Sequence, residues 1–247
     1  MKRNLAIVPL AFGLLLPACA ADKNKTPESG ITRGQGDAIL NELRQIRQLL
    51  ESGARPGSGT AVEADGRIRL NIPSAFWMGN KDAPLTMVEF TDYQCGFCQR
   101  FHLETFPEIK KKYIDTGKLR FVSRDLPLDF HSNAFHAAEA ARCAGDQGQF
   151  WLMRNTLVAN ASKLAAEQIQ GYAKALNLDL AAFRSCMETG KHSEAIRKDV
   201  ALAASLRIDG TPSFVIGKST PEGVSGTLVV GALPFDAFEE KLGEVTK

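Results

Sequence analysis

The sequence predicts an α/β domain in which one connection between strands is enlarged into an all-helical insertion, preceded by an N-terminal helical extension. Apolar, strand-like segments at residues 86–91 and 119–123 flank a stretch with helical periodicity, and short strands return at residues 213–216 and 227–230. Between the two pairs, residues 132–206 show only helical spacings of apolar residues. This order of elements is typical of an α/β domain with one long crossover.

The chain begins with the features of an export signal, which we assign to residues 1–20. Two basic residues precede an apolar run over residues 5–16, and small residues follow it. The run is too short for a membrane-spanning helix, which needs about 20 apolar residues. Two cleavage sites compete: one after Ala20, and one before Cys19, in a sequence similar to a lipoprotein box that would attach a lipid to Cys19. Either site predicts export to the periplasm.

Residues 21–53 predict a tether followed by an oligomerisation helix. After a polar stretch, apolar residues recur every three or four positions. These residues form an apolar seam along one face of the predicted helix. The seam consists of Ile39, Leu43, Ile46 and Leu50, and Leu40 and Leu49 lie beside it. A lone helix of this length is marginal in water, so we predict that it pairs with a second copy as a homodimer. The alternative is that it folds back onto its own domain. Residues 54–66 are rich in Gly and predict a linker, which leaves the domain proper at residues 67–247.

Within the domain, turn-forming residues divide the sequence into segments, and each segment predicts one helix or strand. A turn at residues 92–94 leads from the first buried strand into a helix over about residues 95–116. The insertion predicts helices at residues 134–144, 150–158, 165–176, 180–188 and 193–206. A loop over residues 217–226 is expected to bridge the last two strands, and a helix at residues 234–245 closes the domain.

Charge and histidine spacing exclude several classes of partner. The formal net charge is +2 with both signs interspersed, and no basic block of the kind that binds nucleic acid is present, so we expect no nucleic-acid partner. The four histidines are scattered and lack partners at ligand spacing. They are His102, His131, His136 and His192. We therefore expect no metal site and no cofactor.

Residues 95–98 read Cys-Gly-Phe-Cys at the point where a buried strand turns into a helix. The first amides of a helix lack intrahelical partners and the helix dipole is positive there, so a thiolate at Cys95 is stabilised and its pKa falls. Cys98 lies on the same helical face, where it can attack a mixed disulfide formed by Cys95. We predict that Cys95 is the attacking thiol and Cys98 the resolving thiol of a redox-active disulfide.

The alternatives for this cysteine pair are weaker. Half of a zinc site would need two further ligands at matching spacing, and a structural disulfide that closes so small a loop would add little stability. Because Gly96 and Phe97 carry no side-chain hydrogen-bond donor, we expect the pKa of Cys95 to fall below about 8.5 but to stay above the ~3.5 of the strongest oxidants.

Three segments together resemble the DsbA-like branch of the thioredoxin superfamily, which includes DsbG-like and Com1-like proteins. They are residues 89–101 (EFTDYQCGFCQRF), 137–143 (AAEAARC) and 210–215 (GTPSFV). The resemblance implies a thioredoxin fold and thiol-disulfide exchange. It also implies that Pro212 follows a cis peptide bond and faces the active-site disulfide, and that Thr211 offers backbone groups to a bound substrate. The alternative for Pro212 is an ordinary turn proline.

The same resemblance, which extends from about Phe76 to the C terminus, places Glu89 where the family keeps a buried acid beneath its disulfide. A buried carboxyl has a raised pKa and would be able to accept the proton of Cys98 when that thiol attacks. The alternative is a glutamate on an edge strand that faces water.

Cys143 and Cys186 predict a structural disulfide within the insertion. Once Cys19 is removed or lipidated, an even number of cysteines remains in an oxidising compartment. Both residues lie in predicted helices among apolar neighbours. The alternative is two separate buried thiols.

These features predict a periplasmic protein-disulfide oxidoreductase that acts as an oxidase or isomerase on unfolded or misfolded exported proteins. Its membrane redox partner is not identified by the sequence. In a homodimer, two sites facing a shared cleft would favour isomerisation. The rival hypothesis is a chaperone-like or surface-lipoprotein binding module with the same fold.

Overall fold

The computed structural model describes residues 61–63, 65–72 and 76–246, together with five isolated positions nearer the N terminus. The chain divides into two units, Met1–Ser52 and Gly53–Lys247. The predicted signal peptide lies outside the described residues, as does most of the predicted tether and linker. Cys19, Ile46, Leu49 and Leu50 are among the residues that are not described.

In the first unit, all five described positions are helical, and three of them belong to the predicted seam. The five are Gly36, Ile39, Leu40, Leu43 and Arg47. The side chains of Ile39, Leu40 and Leu43 are exposed. The predicted role of this helix in oligomerisation stays a prediction.

The second unit is built on a seven-stranded sheet. The strands are β1 (Ala61–Val62), β2 (Ile68–Asn71), β3 (Phe76–Met78), β4 (Leu85–Thr91), β5 (Leu119–Asp125), β6 (Ser213–Ser219) and β7 (Gly223–Val230). Their order is β1-β2-β7-β6-β4-β5-β3. The pair β4 and β5 is parallel and the other pairs are antiparallel. Every residue of β4 is buried between its two neighbours, as its largely apolar sequence predicts.

The predicted helix after β4 is present but is wound in alternating geometry. It consists of α1 (Gly96–Arg100), a π-helical segment (Phe101–Thr105), α2 (Phe106–Ile109) and a second π-helical segment (Lys110–Ile114). Pro107 has no backbone N–H, and its ring would clash with a carbonyl one α-helical turn earlier. The N–H of Phe106 instead bonds five residues back to the carbonyl of Phe101, so we attribute the first π-helical segment to Pro107.

The remaining helices lie after β5. They are α3 (Ala134–Gly145), α4 (Phe150–Ala159), α5 (Ala166–Ala175), α6 (Leu180–Thr189), α7 (Ser193–Ser205) and α8 (Phe235–Thr246). Helices α3 to α7 form the insertion, and α8 closes the domain. Each end of the five insertion helices lies within one residue of its predicted position, which confirms the predicted fold class.

The side chains of β4 alternate between two layers of the core. Leu85 and Met87 pack in the layer that contains Phe101 of the helix after β4. Val88 packs on the opposite side of the sheet, against residues of α7 such as Ala203. Because successive strand residues point to opposite faces, Glu89 points into the same layer as Leu85 and Met87. The strand therefore directs one carboxylate toward the helix that begins at Cys95 and carries Cys98.

The last hairpin is longer than the sequence predicts. The predicted loop over residues 217–226 is mostly strand, because β6 continues through Gly217 and β7 begins before Gly226. These two glycines face each other at a close approach of the two strands. A Cβ on Gly217 would lie 2.0 Å from the carbonyl oxygen of Ser225, and a Cβ on Gly226 would lie 2.1 Å from that of Ile216. Here glycine permits close strand pairing rather than a turn.

Strands β1, β2 and β3 were not predicted. Residues Ala61–Val62, inside the predicted linker, pair antiparallel with β2. Strand β2 pairs with β7, and β3 pairs with β5 at the opposite edge of the sheet. All three strands are short, so the sequence pattern offers few alternations from which to identify them.

Candidate active site

The two cysteines of the Cys-Gly-Phe-Cys segment stand at the first turn of α1. Cys95 is the N-cap residue, with extended backbone angles of φ −75° and ψ 122°. It retains 6% of its accessible surface, whereas Cys98 retains none. Both are free thiols. Strand β4 and the turn after it thus bring one partly accessible and one buried sulfur to the same helix start.

The local environment lowers the pKa of Cys95 to about 5. The largest cause is a hydrogen bond from the Cys98 side chain to the thiolate. Burial opposes it, and the Thr211 side chain and the backbone amides of Phe97 and Cys98 lower the pKa further. This value lies above the ~3.5 of the strongest oxidants, as expected for a dipeptide without a side-chain donor. Cys95 is therefore ionised at neutral pH and ready to act as a nucleophile.

The environment of Cys98 has the opposite effect. Burial raises its pKa well above the ordinary value, and its hydrogen bond to Cys95 and the negative charge of Glu89 raise it further. The backbone N–H of Asp92 donates to the Cys98 sulfur at 3.5 Å. Cys98 accordingly remains a protonated thiol at a pH where Cys95 is a thiolate.

A loop that precedes β6 lies against the sulfur of Cys95. The peptide bond between Thr211 and Pro212 is cis, and the Cys95 sulfur lies 3.5 Å from the Thr211 carbonyl oxygen, to which it donates when protonated. The Pro212 carbonyl accepts a hydrogen bond from the N–H of Gly231 at 2.8 Å. The structure thus brings Thr211 and Pro212 close to Cys95, although they lie more than 100 residues after it in the sequence.

Glu89 is completely buried in the central strand and is held by a cluster of polar groups. Both of its carboxylate oxygens lie 3.0 Å from Nε2 of His102. The guanidinium of Arg154 pairs with the same carboxylate. Arg154 also donates through Nε to the Ser123 hydroxyl at 3.0 Å and lies over the ring of Trp151 at 5.4 Å. Glu89 is therefore a paired buried charge and not an edge-strand residue that faces water.

The predicted pKa shift of Glu89 is wrong in direction. Burial alone raises the pKa of the carboxyl, but His102 and Arg154 together more than offset it, and the pKa falls below its ordinary value. His102 is itself buried, and burial and the Arg154 charge lower its pKa. Glu89 consequently carries a negative charge whose effect is to raise the pKa of Cys98.

Sequence reasoning missed His102 and Arg154 as parts of this site. His102 follows Cys95 by seven positions along one helical stretch, a spacing that returns to the same helical face. Arg154 is the one charged residue in the otherwise largely apolar segment Phe150–Ala159, and a buried arginine requires an acidic partner. Those two signals were available, but only the fold shows that both side chains meet Glu89.

The turn between β4 and α1 is anchored to the start of the insertion. The Asp92 carboxylate accepts a hydrogen bond from the Leu128 N–H at 2.8 Å and contacts Nδ1 of His131 at 2.8 Å. The side-chain oxygen of Gln94 accepts from the N–H of Asn133 at 2.8 Å. These contacts hold the approach to the cysteines against the segment that leads into α3.

The two residues between the cysteines face outward. Phe97 is 59% exposed, and the guanidinium of Arg100 lies 5.1 Å from its ring centroid. Apart from its chain neighbours and the backbone of its own helix, no heavy atom of the described residues lies within 4 Å of the position that a Cβ on Gly96 would occupy. The dipeptide is thus free of packing against the core.

Outside this site, Cys143 and Cys186 are joined by a disulfide that links α3 to α6. Their Cα atoms lie 5.9 Å apart, and the sequence separation is 43 residues. Within the part of the chain that the structure describes, the cluster of side chains able to ligate a metal lies here, where His192 adjoins the two sulfurs, rather than at Cys95. Among the described residues, no helix has the length and apolar character needed to cross a membrane.

Comparisons with known proteins agree with the fold. The family model described as "Thioredoxin" matches residues 72–225. The chain is 35% identical over 161 residues to "Na(+)/H(+) antiporter NhaA 1" of Salinispora arenicola, which covers 65% of this chain and 24% of that protein. It is 28% identical over 147 residues to "Probable disulfide bond formation protein D" of Bacillus anthracis, which covers 56% of this chain and 68% of that protein.

A solved structure shows a similar fold over most of the domain. Alpha-DsbA1 of Wolbachia pipientis has a TM-score of 0.61 and 28% sequence identity, and the match covers 71% of this chain and 92% of that one. The chain thus matches nearly the full length of this structure but only about a quarter of the antiporter's length.

Proposed function

The chain belongs to the thioredoxin family, with DsbA proteins among its structural relatives as the sequence predicts, and on this premise we propose that it is a protein-disulfide oxidoreductase. One observation supports the proposal most strongly. A Cys95 thiol whose pKa is about 5 stands at a helix start, beside the buried Cys98 thiol and 3.5 Å from the Thr211 carbonyl of a cis-proline loop.

In the oxidising direction, the reaction begins with a disulfide between Cys95 and Cys98. A substrate thiolate attacks the Cys95 sulfur, the Cys95–Cys98 bond breaks, and Cys98 leaves with the electron pair and takes up a proton. A second substrate thiolate then attacks the substrate sulfur of the mixed disulfide and releases the Cys95 thiolate. The low pKa of Cys95 makes it a good leaving group in this second step.

In the reducing or isomerising direction, the same groups act in reverse. The Cys95 thiolate attacks a substrate disulfide, and Cys98 loses its proton and displaces the substrate from the mixed disulfide. We propose that Glu89 keeps Cys98 protonated between these events, because its charge raises the pKa of that thiol. We propose that backbone groups of Thr211, next to Pro212, align an extended substrate chain beside Cys95; the 3.5 Å distance from the Cys95 sulfur to the Thr211 carbonyl oxygen supports this role.

We further propose that the substrates are unfolded or misfolded exported proteins in the periplasm and that a membrane redox partner recharges the site. The N-terminal segment supports export, because its charge and apolar run are typical of a secretory signal. The exposed apolar positions of the first unit support a homodimer, in which two active sites would favour isomerisation. Lipid attachment at Cys19 stays a prediction.

An insulin-reduction assay and a trapping experiment test the proposal together. We expect the protein to accelerate insulin reduction by a dithiol well above the rate with the dithiol alone. Cys98→Ala should accumulate mixed disulfides with substrate on non-reducing gels, whereas Cys95→Ala should not. A binding module of the same fold would show no acceleration, and adducts formed only by Cys95→Ala would reverse the two roles.

A further inference from the structure

We propose that the insertion contains a second, redox-dependent site: when the disulfide between Cys143 and Cys186 is reduced, the two thiolates and His192 bind a zinc ion. This inference is independent of the activity proposed for Cys95 and Cys98. It concerns a different part of the fold, where α3, α6 and the turn before α7 meet.

The three side chains already lie close enough to share one ion. The two sulfurs and a ring nitrogen of His192 all lie within 4.8 Å of one another. Tetrahedral zinc has bonds of about 2.3 Å to sulfur and about 2.0 Å to nitrogen, so its ligand atoms are roughly 3.5 to 3.8 Å apart. The Cα atoms of the two cysteines are 5.9 Å apart, so small side-chain rotations are sufficient to reach that arrangement.

Local structure fixes the third ligand beside the sulfurs. Helix α6 ends at Gly190, which adopts the left-handed conformation with φ 59°. The N–H of Lys191 then bonds to the carbonyl of Cys186 at 3.2 Å. This tight reversal places His192, the N-cap residue of α7, directly beside the end of the helix that carries Cys186. The imidazole is thus positioned by the backbone of the turn.

Asp146 borders this cluster and contacts the imidazole of His192, but the atoms that all lie within 4.8 Å of one another are those of the two cysteines and His192. Asp146 follows α3 and its Oδ2 atom lies 3.0 Å from Nε2 of His192 and 3.6 Å from the sulfur of Cys186. The ammonium of Lys191 also contacts this oxygen, at 2.9 Å, but the Lys191 side chain is 57% exposed and is able to move into solvent. Two thiolates and one imidazole are ligand types that zinc takes in proteins, and a water molecule can take the fourth position of such a site.

The disulfide and the metal site exclude each other because they use the same sulfur atoms. A dithiol reductant gives two electrons to the disulfide and becomes a disulfide itself, which leaves Cys143 and Cys186 as thiols. Zinc then displaces one proton from each thiol as it binds. Reoxidation to the disulfide requires that the zinc dissociate. The insertion can therefore be held together either by a covalent bond or by a metal ion.

The test uses the full chain with Cys95→Ser and Cys98→Ser, so that Cys143 and Cys186 are the thiols left in the domain. After reduction with a phosphine, cobalt(II) is added as a spectroscopic probe and then displaced with zinc. We expect thiolate-to-cobalt charge-transfer bands and tetrahedral d–d bands at a stoichiometry of one ion per chain, and no bands before reduction.

Two further variants and one control make the result decisive. His192→Ala should weaken cobalt binding at least about tenfold, whereas His136→Ala, on α3 but outside the cluster, should leave it unchanged. Far-ultraviolet circular dichroism monitors whether the reduced protein keeps its helices. Absence of thiolate bands in the folded reduced protein, bands that appear only on unfolding, or equal affinity in His192→Ala would each overturn the proposal.

Discussion

The ionised thiol of Cys95 should stabilise the reduced protein in a manner that depends on pH. A thiol with an ordinary pKa of 9.0 is protonated at neutral pH in the unfolded chain, whereas the pKa in the folded protein is about 5. Because the folded-state pKa is depressed, the stabilisation is fully present above the unfolded pKa and is lost as the pH falls through about 5. The reduced protein should therefore lose this contribution on acidification.

The magnitude follows from the distance between the working pH and the folded-state pKa. At about pH 7 the difference is about two pH units, which corresponds to at most about 2.7 kcal/mol. The helix start is partly open to water, and solvent screening reduces the expected value to about 1 to 2 kcal/mol. At about pH 4 both the folded and the unfolded thiol are protonated, and the contribution should be close to zero.

Urea unfolding of the reduced protein measures this contribution by difference. The free energy of unfolding of the unsubstituted chain minus that of Cys95→Ser should be about 1 to 2 kcal/mol larger at about pH 7 than at about pH 4. Subtracting the two unfolding free energies cancels the pH dependence that comes from the other titratable groups, because both proteins contain them. Cys98→Ser keeps a hydrogen-bond donor beside Cys95 and should retain most of the effect. A difference that does not change with pH would show that Cys95 titrates as an ordinary thiol and would refute the argument.

Three further predictions concern stability and assembly. Arg154→Met should lower the free energy of unfolding by about 3 to 5 kcal/mol because it leaves the Glu89 charge buried without its guanidinium partner, with His102 left beside it. Addition of Glu89→Gln should recover most of the loss in urea unfolding, and no recovery would assign Arg154 a packing role only. Replacement of both Cys143 and Cys186 by Ala should cost about 4 kcal/mol in the same assay, as the chain-entropy estimate for this loop gives, and a negligible change would contradict it. Sedimentation equilibrium should find a dimer that Leu43→Lys converts to a monomer, and a monomeric unsubstituted protein would show that the dimer prediction is wrong.

The sequence predicted the parts of this structure that depend on local pattern. The five insertion helices have long apolar periodicities, so their ends fall within one residue of the prediction. The hairpin did not follow the pattern, because Gly217 and Gly226 serve a close approach between strands that no local signal separates from a turn. Short strands at the sheet edges were missed because they depend on pairing partners far along the chain.

The candidate site also has features that the local sequence predicts and features that only the fold reveals. The position of Cys95 and Cys98 at a helix start was predicted from a four-residue segment and the strand before it, and the structure has it. The direction in which the pKa of Glu89 shifts was not predicted correctly, because it depends on His102 and Arg154, which lie 13 and 65 residues away in sequence. Burial and charge pairing act on that carboxyl in opposite directions, and only the assembled fold shows which one prevails.

The outward-facing dipeptide between the cysteines has a consequence for how this protein can change under selection. Gly96 has open space on its Cβ side, and Phe97 projects into solvent, so a library randomised at these two positions should yield folded members almost regardless of the residue chosen. Substitutions there would add or remove hydrogen-bond donors near the Cys95 sulfur and would need no compensating changes in the core. Mutations at Gly96 and Phe97 can thus change the redox properties of the two cysteines without impairing folding. A variant with a new redox potential is therefore reachable by single mutations, each of which leaves the protein folded.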